Sequence, residues 1–321
     1  MSTSAADYLV DRRRLRRQLG FWRVVAFIAA ALAIIALGAR LTGAAGLAGG
    51  PHIARLTVSG FIAGNEETLK LIREARDSPA VAAALVRIDS PGGATEGSEE
   101  IYDELRRLAA KKPVAAVVGG MAASGAYIAA LGADRIFVRG NSIVGSIGVL
   151  VEYPNVSGLM DKVGVKLESI KSSPLKAAPN GFEPTSDEAR AAMAALIADS
   201  FDWFKALVKD RRGLTDEELA KVDDGRVFTG RQGLPLKLVD AIGDERDAIA
   251  WLEKDRGVAK NLPVRDHKPG TGWTGFKLTS LAAAAAAADL AGLTSIAEAL
   301  RYEDRPPVDG LVSVWQLSGG D

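Results

Sequence analysis

Between residues 53 and 138 short apolar runs alternate with amphipathic segments, and that alternation limits the chain to a small set of folds. Residues 53–59 read as a strand, 65–77 as a helix closed by Ser78-Pro79, and 81–88 as a strand. Residues 96–111 read as a helix, with Ile101, Leu105 and Leu108 at helical spacing. Residues 114–118 are a strand, Gly119-Gly120 a turn, 122–131 a helix and 135–138 a strand. This β-α-β-α rhythm calls for parallel strands joined by crossover helices. Farther on, Thr185 and Glu188 stand at capping-box spacing before a helix that runs to Arg212 and stops at Gly213. Short helices are expected over 214–222 and 246–254, with a turn at 223–225 between them. Pro263, Pro269, Gly270 and Gly272 mark a linker, and 281–293, with seven consecutive alanines, reads as a helix in a C-terminal tail.

The N-terminus carries a different signal. Residues 1–23 hold six arginines against two aspartates, and no charge follows from Val24 to Ala39. Residues 21–41 reach the roughly 20 residues of a membrane span if Arg23 and Arg40 snorkel to the two interfaces. The arginine cluster sets the N-terminus in the cytoplasm and the rest of the chain on the far side. A cleaved signal peptide, with a small-residue site within 43–48, is the rival reading. The expected organisation is a basic segment at 1–23, a transmembrane helix at 24–41, a linker at 42–52, a folded domain at 53–260 and a tail at 261–321.

Composition removes whole classes of function. Forty basic and forty acidic residues leave no net charge, so neither nucleic-acid binding by a basic surface nor a self-repelling acidic chain is expected. There is no cysteine, hence no disulfide, thiolate metal site or cysteine nucleophile. The only histidines are His52, at the exit of the expected span, and His267, in the linker. Both are poor positions for a rigid general base.

Four segments are candidates for chemistry. Ser124 lies in Gly119–Ala126 at a strand-to-helix junction, where free amides and the positive helix end favour an oxyanion. Taken alone, it reads more readily as an N-cap. Ser90-Pro91-Gly92-Gly93 is a second such junction, and alone it reads as an ordinary tight turn. Residues 141–149 are strand-like and rich in hydroxyls and glycine. Residues 171–184 form a long loop with Lys171, Lys176 and three prolines. If Ser124 is a nucleophile and neither histidine serves, a lysine made neutral by burial is the remaining strong base.

Ser90–Gly93, Met121–Gly125, Gly145–Val149, the loop from Lys171 to Lys176, and Asp224–Gln232 resemble, in order and spacing, the signal peptide peptidase A family. The resemblance covers residues 53–255. It implies an α/β, ClpP/crotonase-like fold behind one N-terminal transmembrane helix. It implies a membrane-anchored serine endopeptidase with Ser124 as nucleophile, Lys176 as general base and Ser146 orienting the lysine. The amides of Gly93 and Ser124 would form the oxyanion hole. Ala94 and Ala126 stand where many members have glycine. The implied partners are remnant signal peptides, the membrane and seven further copies of the chain in an octamer, with serine and lysine drawn from neighbouring protomers. The implied location is the cell inner membrane, with the domain periplasmic. No metal or other cofactor is implied. A crotonase-type acyl-CoA enzyme and a non-catalytic scaffold of the same fold are the alternatives.

Overall fold

The structure, a computed structural model, describes residues 21–23, 25–29, 50–268 and 312–314. Residues 21–23 and 25–29 are helical and belong to a unit separate from the α/β domain. No helix among the described residues is long and apolar enough to cross a membrane. Most of the expected span and the expected helix at 281–293 lie outside the described residues.

The domain is a mixed sheet with helices on both faces. β1 (His52–Ile62), β2 (Val81–Ala94) and β3 (Val114–Ala123) pair in parallel, with α1 (Glu66–Asp77) and α2 (Thr95–Ala109) as crossovers. α3 (Gly125–Leu131) follows β3 and leads to β4 (Arg135–Val138), parallel to β3. β5 (Ile143–Gly145) continues beside the upper part of β3. Then come α4 (Ser157–Val163), α5 (Asp187–Arg212) and α6 (Asp216–Leu219). β6 (Val227–Thr229) runs antiparallel to β5 and opens into α7 (Gly230–Gly233). β7 (Ala241–Ile242) joins β4, α8 (Glu245–Asp255) follows, β8 (Val264–Asp266) joins β1, and β9 (Val312–Val314) lies antiparallel to the end of β2.

The strands read as unbroken apolar runs because both faces are covered. Ala84, Val86 and Ile88 pack with Leu69, Ile72, Leu105 and Leu108 on one face. Ala83 and Leu85 alternate to the other, with Phe137, Ala248 and Leu252.

Several expected boundaries move, each for a local reason. Gly119-Gly120 is a bulge inside β3 rather than a turn. The register runs from Ile88↔Val118 to Ser90↔Ala122, and the Asp89 carboxylate fills the gap, accepting the Met121 amide at 3.2 Å. Ser90–Gly93 likewise stays extended as the end of β2. Ser186, not Thr185, caps α5 by accepting the Ala189 amide at 3.2 Å, while the Thr185 hydroxyl meets that of Tyr153 at 2.9 Å. β8 lies beyond the expected boundary at 260, where the prolines and glycines had suggested only a linker.

α3 is buried along its whole length. The Tyr127 hydroxyl donates to the Leu238 carbonyl at 2.7 Å. Arg211 donates to the Leu131 and Ala133 carbonyls, both at 2.9 Å, and Arg106 to the Gly132 carbonyl at 3.1 Å. The helix is therefore pinned at its C-terminal end, where its last carbonyls have no intrahelical donor. Tyr127→Phe keeps the shape but leaves the Leu238 carbonyl buried without this donor. The expected loss is about 1–2 kcal/mol, read as a lower urea midpoint at unchanged slope.

Candidate active site

The site lies where the parallel strands end. Beyond Ser90↔Ala122, β2 and β3 separate: Gly92-Gly93 continue beside β1, and β3 runs on beside β5 to Ala123, the residue before Ser124. The buried Ser90 hydroxyl donates to the Gly60 carbonyl at 2.6 Å and accepts the Gly92 amide at 3.1 Å, which fixes the path of β2 there. Gly93 must be glycine because a Cβ would fall 2.0 Å from the Ile62 carbonyl oxygen.

Ser124 is buried, with φ 55° and ψ −121°, and directly precedes α3. Its side chain makes no capping bond. It therefore does not play the N-cap role that its position alone suggests. A left-handed serine at a sharp strand-to-helix turn is the backbone arrangement used to present a nucleophile. The Ser124 amide donates to the Gly145 carbonyl at 2.8 Å. That bond corrects one expectation, since this amide is already engaged and is not an idle oxyanion donor. The first amides of α3, those of Gly125 and Ala126, have no acceptor within the helix.

The same bond brings Ser146 to the site. Register Ala123↔Gly145 sets Ser124 and Ser146 at the ends of neighbouring strands. Ser146 is also buried and also left-handed, at φ 53°. Its amide donates to the Arg226 carbonyl at 2.9 Å. This gives the Asp224–Gln232 segment its place. Its strand, β6, backs β5, and the Phe228 ring sits where a Cβ on Gly145 would be 3.0 Å away.

Lys176 stands apart. Glu183 gathers Ser169 at 3.1 Å, Asn180 at 3.1 Å and Lys171 at 2.5 Å, which folds the loop back on itself. The Lys171 ammonium is the first cause holding the Glu183 carboxyl below the ordinary glutamate range. Lys176 lies on the exposed turn of this loop and makes no ion pair among the described residues. Its neighbour Ala177 is left-handed too, at φ 57°. Thus three of the five left-handed non-glycine residues among the described ones are Ser124, Ser146 and the residue after Lys176. The chain brings Ser124, Ser146 and Gly93 to one edge, while Lys176 lies exposed on its loop.

The histidines serve neither serine. His52 opens β1 at the opposite end of the parallel strands, roughly 30 Å of strand away from the Ser124 edge. Its Nε2 lies 3.2 Å from that of His267. Among the described residues no group of three or more metal-ligating side chains occurs.

The sequence model of Peptidase family S49 matches residues 106–259. A candidate protease of Synechocystis sp. is 40% identical over 223 residues, which is 68% of this chain and 80% of that protein. The chloroplastic serine protease SPPA of Arabidopsis thaliana is 30% identical over 200 residues, 62% of this chain but 30% of that protein. A solved ClpP1 variant from Listeria monocytogenes overlaps 60% of this chain and 92% of its own, with a TM-score of 0.40 and 16% identity. The domain is an α/β sheet with a buried serine of positive φ at a strand-to-helix junction. The chain belongs to Peptidase family S49, the serine proteases that include the signal peptide peptidase A proteins.

Two outcomes follow from this geometry. Replacing Ser124 by glycine relieves a left-handed residue, whereas alanine does not. Ser124→Gly is expected to be more stable than Ser124→Ala by about 1 kcal/mol, after allowing for glycine's larger unfolded-state entropy. Denaturant titration of the two variants reads the difference. Burial, and then His52, hold the His267 imidazole below its ordinary value. The folded chain then binds protons less readily than the unfolded one, so this contribution to stability is present above pH ~6.5 and is lost as pH falls below it. From pH 7 to 5 the melting temperature of the wild type should fall further than that of His267→Gln.

Proposed function

We propose that the chain is a membrane-anchored serine endopeptidase that degrades remnant signal peptides, with its dyad completed between protomers. The observation that carries the nucleophile assignment is the backbone of Ser124, held left-handed at the head of a buried helix with its side chain not capping that helix. Ser124 attacks the scissile carbonyl and passes its proton to neutral Lys176. The Gly93 amide and the leading amides of α3 receive the oxyanion. Lys176 then protonates the leaving amine, and water releases the acyl group from Ser124. Ser146, adjacent to Ser124, orients the lysine.

The shared site is supported by the loop. Lys171 is committed to Glu183, while Lys176 is presented outward and is not buried by any of the described residues. A lysine base requires a dry surrounding. A neighbouring protomer in an octamer supplies that surrounding and brings the lysine to a second Ser124. The anchor is supported by the arginine-rich segment and the uncharged run after it, which put the domain on the periplasmic side of the inner membrane.

A serine-reactive probe is expected to label Ser124, located by peptide mass spectrometry, and Ser124→Ala is expected to lose peptide hydrolysis by several decades. Mixing Ser124→Ala chains with Lys176→Ala chains should restore a fraction of wild-type hydrolysis. Mixed oligomers that form but stay inactive would mean that each chain completes its own site. Full activity of Ser124→Ala would remove the serine assignment altogether.

A further inference from the structure

We propose that His52 and His267 form a proton-limited clasp, an N–H···N bond that holds β8 against β1 and opens when both rings are protonated. His52 opens β1 and is 5% exposed, and His267 directly follows β8. Their Nε2 atoms are 3.2 Å apart and their ring centroids 5.6 Å apart, so the two nitrogens meet head-on along the line between the rings. A metal ion gripped by both would turn the rings toward a common apex and draw the centroids closer. The head-on approach is that of a direct hydrogen bond. One Nε2 carries the proton and the other accepts it. The bond therefore forms with no charge on the pair, or with one, the imidazolium then donating to the neutral ring. With two charges both nitrogens are donors, like charges face each other and the bond is lost.

β8 depends on such a contact because it is a three-residue strand, shorter than most, paired to β1 at Ile53↔Val264, Ala54↔Arg265 and Arg55↔Asp266. The Ile53 amide donates to the Pro263 carbonyl at 3.0 Å and the His267 amide to the Arg55 carbonyl at 2.9 Å. The surroundings suit one positive ring and not two. Burial works first against a charged His267, and then the His52 ring; Glu74 of α1 favours the charge and Lys112, ahead of β3, opposes it. Glu74 is shared with Lys70 at 4.0 Å, and the Lys112 ammonium donates to the Ala75 carbonyl at 2.7 Å. On the strands, Asp266 is bound by Arg55 and Lys268, Glu245 of α8 by Arg55, and Arg265 adds a further cation. Both of those carboxylates are thus already matched by cations. Mild acid then frees β8 and uncovers the edge of β1 at Ile53–Arg55.

The test is amide hydrogen exchange of the full chain at about pH 7 and about pH 4.5, read by mass spectrometry on peptides covering 50–56 and 262–268 and expressed as protection relative to the unstructured rate at each pH. Protection there should fall about 10-fold or more on acidification, while that of 83–88 in the sheet centre holds. In His52→Gln and in His267→Gln the pair carries at most one charge, so the acid-induced fall should shrink to under ~2-fold, whatever the level at neutral pH. Either variant suffices, since removing either ring removes the second charge. A fall of wild-type size in either variant would place the acid sensitivity elsewhere, in the Arg55–Asp266 pair first, and overturn the proposal. Unchanged protection of the wild type across the range would overturn it equally. The readout involves no hydrolysis, so it stands apart from the Ser124 assignment.

Discussion

The hydrogen bond from the Ser124 amide to the Gly145 carbonyl is the constraint on which the site depends. It forces the chain at Ser124 into the left-handed turn, because the amide must face β5 while the following residues enter α3. It also sets Ser146, the residue after β5, at the strand end neighbouring Ser124. Without it the two serines are merely small residues at the ends of two strands. The strain it imposes persists because both sides are over-determined. α3 is buried, anchored in its first turn by Tyr127 and pinned at its far end by Arg106 and Arg211, and β5 is backed by β6.

The same economy appears at β2. A parallel sheet presents its strand ends to one edge, and ligands of open α/β sheets gather there. Here the bulges at Asp89 and Gly119-Gly120 carry β2 and β3 past the last shared pair, so that a glycine and a serine face a common space. The family's glycine-rich pieces thus have separate physical duties. Gly93 admits the Ile62 backbone, Gly145 admits the Phe228 ring, and Gly119-Gly120 admit the Asp89 carboxylate.

The lysine follows a different logic. Its loop is folded by polar contacts around Glu183 rather than by apolar packing, and α4 beside it buries no residue. A segment held this way offers its apolar side chains, including Leu159 and Ile170, outward.

The sequence by itself determined the alternation of strand and helix and marked Ser124, Ser90–Gly93 and residues 141–149 and 171–184 as segments of interest, since period and residue type are local properties; the roles of Ser146, Gly93 and Lys176 were what the family resemblance implied. The sequence misplaced the turns at Gly119-Gly120 and Ser90–Gly93, because a glycine pair at a strand end admits either a turn or a bulge and only the partner strand's Asp89 and Ser90 select the bulge. It passed over β8 and β9, which are short strands in Pro- and Gly-containing stretches and exist only by pairing with edges supplied from residues more than 200 positions earlier. The tertiary structure alone decided that the Ser124 amide is spent on Gly145, that the two histidines meet each other at the opposite end of the strands from Ser124, and that Lys171 is bound while Lys176 is presented outward. Each of these depends on which backbone groups and charges come within hydrogen-bonding distance, and that is a property of the folded chain.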